Sequence, residues 1–150
     1  MVVGTEGSGD LSVLVKPRLL SENDLPWLIS LCKKKYDVGY DAYATEGWFR
    51  NIVLKTPLMF CPMRLKNSFA ISMLTSLPWT PARFECHLVL LCADDDNVWE
   101  TAKLLRASIE WARGRGCKRW NMTSDTDYNL YPLALRVGAK QLTPRHYIDL

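Results

Sequence analysis

Residues 83–116 read RFECHLVLLCADDDNVWETAKLLRASIEWARGRG, and two different periods meet inside them. The first ten alternate as a strand does, with Cys86, Leu88, Leu90 and Cys92 on one face and Glu85, His87, Val89 and Leu91 on the other. A glutamate and a histidine therefore share an otherwise apolar face. Asp94, Asp95, Asp96 and Asn97 then offer capping side chains to a helix expected from about Val98 to Arg113 and stopped by Gly114 and Gly116. Val98, Ala102, Leu105, Ile109 and Ala112 recur at helical spacing and predict its buried stripe. Glu100, Lys103, Arg106, Glu110 and Arg113 form the wet one, with opposite charges three and four residues apart.

Upstream, residues 58–65, 68–74 and 83–92 are strand-like runs separated by Lys66-Asn67 and by the proline-bearing segment 78–81, which predicts an antiparallel meander. Two helices precede it. One runs from Leu25 to about Lys35, with Leu25, Leu28, Ile29 and Cys32 on one face and three lysines in the last turn, where cations complement the helix dipole. The other follows Thr45, carries Trp48, Phe49, Ile52 and Val53, and ends before Pro57. Residues 11–16, LSVLVK, suit a strand closed by Pro17. Downstream, residues 118–122 read as a strand, a short helix near Pro132 ends at Gly138, and residues 141–150 suit a last strand. Three glycines within residues 1–10 predict a flexible leader, leaving 11–150 as one domain.

Composition narrows the function classes. With 150 residues and 48% apolar types the chain can bury a core of its own, since a globule of this size hides ~70% of its unfolded surface. A net charge of +3 is too small for a nucleic-acid surface, and the basic group Arg113, Arg115, Lys118 and Arg119 spans a helix end, where such residues are common. The apolar run 88–93 is far below the ~18 residues that cross a bilayer. The first ten residues lack the features of an export signal, so a cytoplasmic location is expected. Cys32, Cys61, Cys86, Cys92 and Cys117 show no CxxC spacing and sit among apolar neighbours, which predicts packed thiols and no metal site.

The order strand, two helices, three strands, helix, strand, helix, strand resembles the GCN5-related N-acetyltransferases (GNATs). The match covers residues 11–150 and is carried by VKPRLLSENDLPWL, HLVLLCADDDNVWETAKLLRASIEWARGRG and KRWNMTSDTDYNLYPLALRVGAKQL. The resemblance implies an α/β (α+β) fold with a mixed, mostly antiparallel sheet of about six or seven strands flanked by about four helices. It also implies acetyl-CoA-dependent transfer to a primary amine, with the cofactor in the gap between the fourth and fifth strands. Its pyrophosphate would lie on the backbone amides that open the long helix.

On this alignment the family's phosphate signature falls on residues 96–101, where neither expected glycine occurs. Trp99 and Thr101 stand where the backbone should approach phosphate closely. Asp94, Asp95, Asp96 and Glu100 are expected to repel it, each like-charge contact at ~4 Å costing ~1 kcal/mol in bulk water. Cofactor contacts implied by the resemblance are Leu91, Cys92, Trp99, Glu100, Thr101 and Asp127, the last where the family usually has asparagine. Glu85 or His87 would take the amine proton. Ala134 stands at the usual position of the tyrosine that protonates the leaving thiolate, and Tyr131, three residues earlier, would share its helical face.

The eroded loop is similar to that of the acetyltransferase-like internal virion proteins of short-tailed phages, through Val98-Trp99 and Gly138-Ala139. That resemblance implies a catalytically inactive protein with a virion or protein-interaction role, with Trp48, Trp79, Trp99 and Trp120 as candidate partner contacts.

Overall fold

The computed structural model describes residues 16–36, 40–76, 78–79, 84–94, 98–122, 131–140 and 148. Five described strands form one sheet in chain order: β1 (Arg18–Leu19), β2 (Phe60–Arg64), β3 (Ser68–Ser76), β4 (Phe84–Ala93) and β5 (Arg119–Asn121). Neighbours are antiparallel except for β4 and β5, which are parallel. Sequence anticipates the meander, though β1 pairs beyond Pro17, at Arg18 and Leu19. The expected leader and most of the expected strands at 11–16 and 141–150 lie outside the described residues.

Four α-helices accompany the sheet: α1 (Leu25–Lys35), α2 (Ala42–Trp48), α3 (Val98–Gly114) and α4 (Tyr131–Arg136). α1 begins where sequence places it, with Leu25, Leu28, Leu31 and Cys32 buried. Asp41 caps α2 by accepting the Ala44 amide at 2.9 Å. The chain then widens into a π-helical turn, Phe49–Val53, in which the Leu54 amide donates to Phe49 O at 2.9 Å.

Each sheet face carries its own core. On the α1/α2 side, Leu28 of α1 packs with Phe49, Phe60, Phe69, Ile71 and Cys92, with the Phe69 ring edge-on to both Trp27 (5.9 Å) and Phe49 (6.1 Å). On the α3 side, Ala102 and Leu105 of the helix pack with Leu65, Ala70, Leu88 and Leu91. The α3 stripe differs from the expected one: Val98 is exposed, whereas Thr101, Leu104 and Ser108 are buried. The polar members fit because the Ser108 hydroxyl bonds to Ser72 and accepts the Trp120 indole N–H at 2.9 Å.

The expected two-face alternation of β4 holds only in part. Ile71 pairs with Leu90 but Ser72 pairs with Leu88, so Val89 is the extra residue of a β-bulge and is 43% exposed. Beyond it the phase inverts. Leu88 and Leu91 both face α3, while Leu90 and Cys92 face α1 and α2. Glu85 and His87 therefore share the face of Leu90, not that of Leu91.

Asp24 ties β1, β2 and α1 together. Its buried carboxylate accepts from Arg18 (2.7 and 2.9 Å), from Arg64 (3.0 Å) and from the Ser21 amide (2.8 Å). The Arg18 hydrogen bond, together with the Ser21 amide and Arg64, holds this carboxyl well below the usual range despite its burial. Arg64 also lies 3.5 Å from the Trp27 ring centroid. Among the described residues no helix is long and apolar enough to cross a membrane.

Candidate active site

β4 and β5 stay together only briefly. They pair through Glu85–Arg119, Cys86–Trp120 and His87–Asn121, after which β4 runs on to Ala93 with no described strand beside it on that edge. The Asp94 amide donates to Asn67 O at 2.7 Å, so by antiparallel alternation Cys92 and Leu90 turn their backbone groups to β3 and Leu91 turns its own to the open edge. In agreement, the Tyr36 hydroxyl donates to Leu91 O at 3.2 Å. Of the two β4 residues implied as cofactor contacts, Leu91 thus presents its backbone to the gap. Cys92 is buried, and its thiol is held up by its hydrogen bond to Cys32 and by burial.

At the point of divergence four polar side chains meet on the α1/α2 face. Glu85 is only 8% exposed. The Asn121 amide donates to its Oε2 at 3.2 Å, Arg119 Nη1 lies 3.5 Å from Oε1, and His87 Nε2 lies 3.5 Å from Oε2. The His87 side chain is 38% exposed, so the imidazole is the accessible member and the glutamate the enclosed one. Parallel pairing brings in Arg119 and Asn121, partners that sequence reasoning missed. By sequence alone Arg119 groups with the basic residues of the helix end. Of that group, Arg113 pairs with Glu110, and Arg115 lies over the Trp111 ring.

Two of the four carboxylates expected to repel an anion at the start of α3 are tied to partners. Asp94 pairs with Lys34 at 2.5 Å, which holds its carboxyl below the usual range. Glu100 turns to the β2–β3 turn, where its Oε1 accepts the Asn67 amide and the Ser68 hydroxyl, both at 2.7 Å. Thr101 folds its hydroxyl back onto Val98 O at 3.1 Å. Trp99 is 65% exposed, with the Arg136 guanidinium of α4 4.8 Å from its ring centroid. Tyr131 is the first residue of α4. Asp95, Asp96 and Asp127 lie outside the described residues.

A cavity of about 480 Å³ opens beside the fork, between α1, α2 and β4. Cys32, Tyr36, Tyr40, Asp41, Trp48 and Leu90 line it. Among the aromatic and acidic ones the sequence alone marks only Trp48, as a helix residue and candidate partner contact, and assigns no site role to Tyr36, Tyr40 or Asp41. The signal available was the density of aromatic residues in segment 36–49. Burial pushes the Cys61 thiol up to about 12 and the Cys86 thiol up to about 11, consistent with packed cysteines rather than nucleophiles.

Sheet order, fork and helix placement together define a GNAT-like acetyltransferase fold. The solved structures it resembles include an acetyltransferase from Trypanosoma brucei (14% identity, TM-score 0.72, covering 90% of this chain and 99% of that one). An aminoglycoside N-acetyltransferase in complex with CoA superimposes with a TM-score of 0.74 at 11% identity over 90% of this chain and 93% of that one. An aminoglycoside 6'-N-acetyltransferase from Acinetobacter haemolyticus gives 0.70 at 12% identity over 91% and 98%. No family model and no curated protein matches the sequence.

Proposed function

We propose that this protein is an acyl-CoA-dependent N-acyltransferase acting on a primary amine. One observation carries the reading: the described pairing of β4 with β5 ends at His87, and beyond it no described strand covers that edge of β4, beside a cavity on the same face as His87 and Glu85. The residues present fit acetyl-CoA. Leu91 faces its backbone to the gap, Glu100 and Asp94 are tied to partners elsewhere, and Arg136 sets a cation beside Trp99. The amides of Trp99, Glu100 and Thr101, in the first turn of α3, would hold the pyrophosphate. When bound, the cofactor supplies an electrophilic thioester carbonyl.

With Nε2 of His87 held toward Glu85, Nδ1 is the nitrogen left to take a proton. With the thioester bound, it would accept the proton lost by the attacking amine, whose N–C bond to the acyl carbon would replace the C–S bond. Glu85, fixed by Arg119 and Asn121, steadies the resulting imidazolium. Tyr131, the first residue of α4, would supply the proton to the departing thiolate. Calorimetric titration with acetyl-CoA and CoA at low and moderate salt tests the reading. Micromolar binding that weakens with salt is the expected result, with His87→Ala slowing turnover by about 100-fold or more. Absence of binding at millimolar ligand overturns it.

That negative outcome would favour the second reading, a catalytically inactive protein of this fold with a virion or protein-interaction role. It is supported by the missing glycines and by the exposure of Trp79 and Trp99, whereas Trp48 and Trp120 are partly buried against the cores.

A further inference from the structure

The cavity beside the fork has a chemistry of its own. Three of its walls are aromatic rings, those of Tyr36, Tyr40 and Trp48, and Leu90 and Cys32 add apolar surface at the sheet and at α1. Among its described lining residues Asp41 is the sole ionisable carboxylate, and one of its oxygens is already engaged by the Ala44 amide. The tyrosine hydroxyls are also occupied, Tyr40 on Ile29 O (3.4 Å) and Tyr36 on Leu91 O (3.2 Å). Among the described residues, little polar capacity therefore faces the space. The hollow is open to solvent, so the further ammonium and hydroxyl groups of a larger acceptor would stay in water and gain nothing from its aromatic walls. One cationic group, by contrast, has both a carboxylate and ring faces to interact with.

We infer that this cavity takes the acceptor and selects a compact monoamine with an aromatic or apolar body, in preference to polyamines and aminoglycosides. The inference rests on the acyltransferase reading for its chemistry, though not for its binding. Tyr36 joins the two regions, since its ring lines the cavity while its hydroxyl bonds the open edge of β4. The volume of about 480 Å³ suits a molecule of one or two rings.

Binding is measured first without cofactor, by calorimetry with phenethylamine, tryptamine, spermidine and kanamycin. The two aromatic amines are expected to bind at least about tenfold more tightly than the other two. Asp41→Asn keeps the helix cap but removes the charge, and it should weaken phenethylamine binding while sparing 2-phenylethanol. Trp48→Ala should weaken both; because Trp48 also packs on Phe49 and Phe60, Tyr36→Leu serves as a second wall variant. Release of CoA thiol from acetyl-CoA is then followed with each amine. Turnover that favours spermidine or kanamycin overturns the inference and leaves the acyltransferase reading standing. Aromatic-amine binding without turnover or acetyl-CoA binding overturns the acyltransferase reading and leaves the cavity's selectivity standing. Equal or absent binding of all four amines overturns the inference outright.

Discussion

The two faces of the sheet solve the same packing problem differently. On the α1/α2 side large rings meet edge to face, and such shapes leave a cavity at their margin, walled by Tyr36, Tyr40 and Trp48. On the α3 side small aliphatic residues close the space, and a serine pair with an indole N–H forms an internal polar contact. The difference teaches where chemistry can be housed. On the α3 face Ser72, Ser108 and Trp120 satisfy one another and burial raises the Cys86 thiol, whereas the α1/α2 face keeps Glu85, His87 and an accessible hollow.

The sharpest way to break the contrast is Phe69→Ala. It removes the ring that Trp27 and Phe49 share, and is expected to cost about 3–5 kcal/mol in denaturant unfolding. Asp24→Asn tests the clamp that closes the α1 side, and about 2 kcal/mol should be lost at neutral pH because a charge-assisted network is weakened. Asp24 ionises more readily folded than unfolded, so its contribution is complete above the unfolded value of about 4 and is lost as pH falls through the folded one. The stability curves of the two proteins should therefore converge in acid. Ser108→Ala probes the opposite face and should cost about 1–2 kcal/mol by stranding Ser72 and Trp120. The double variant Ser72→Ala/Ser108→Ala should lose less than the sum of its parts. Trp99→Ala, on the exposed first turn of α3, should shift stability by no more than about 0.5 kcal/mol.

Local pattern made much of this legible. Leucine spacing located α1, and capping residues with glycine stops bracketed α3 to within a residue. What stayed hidden depends on partners distant in sequence. The alternation through residues 84–93 looks unbroken, and only the register against Ile71 and Ser72 shows that Val89 is extra. Glu85 and His87 could be picked out as polar residues on an apolar strand, but Arg119 and Asn121 reach them through parallel pairing some 34 positions away. The cavity was invisible because its wall joins α1, the connection after it, α2 and β4. Glu100 read as a repelling charge because nothing local says that it turns back to Asn67.

The bulge at Val89 and the π-helical turn at Phe49–Val53 have a common meaning for how this chain tolerates changes of length. Each is an otherwise periodic element carrying one surplus residue, and each borders the cavity, through Leu90 and through Trp48. Excising either surplus residue would restore a regular element, while rotating the side chains on one side of the cut relative to those on the other. In kindred sequences, then, one-residue gaps at these two places would mark remodelled cavity walls, and an alignment that slides across them would misassign every wall residue that follows.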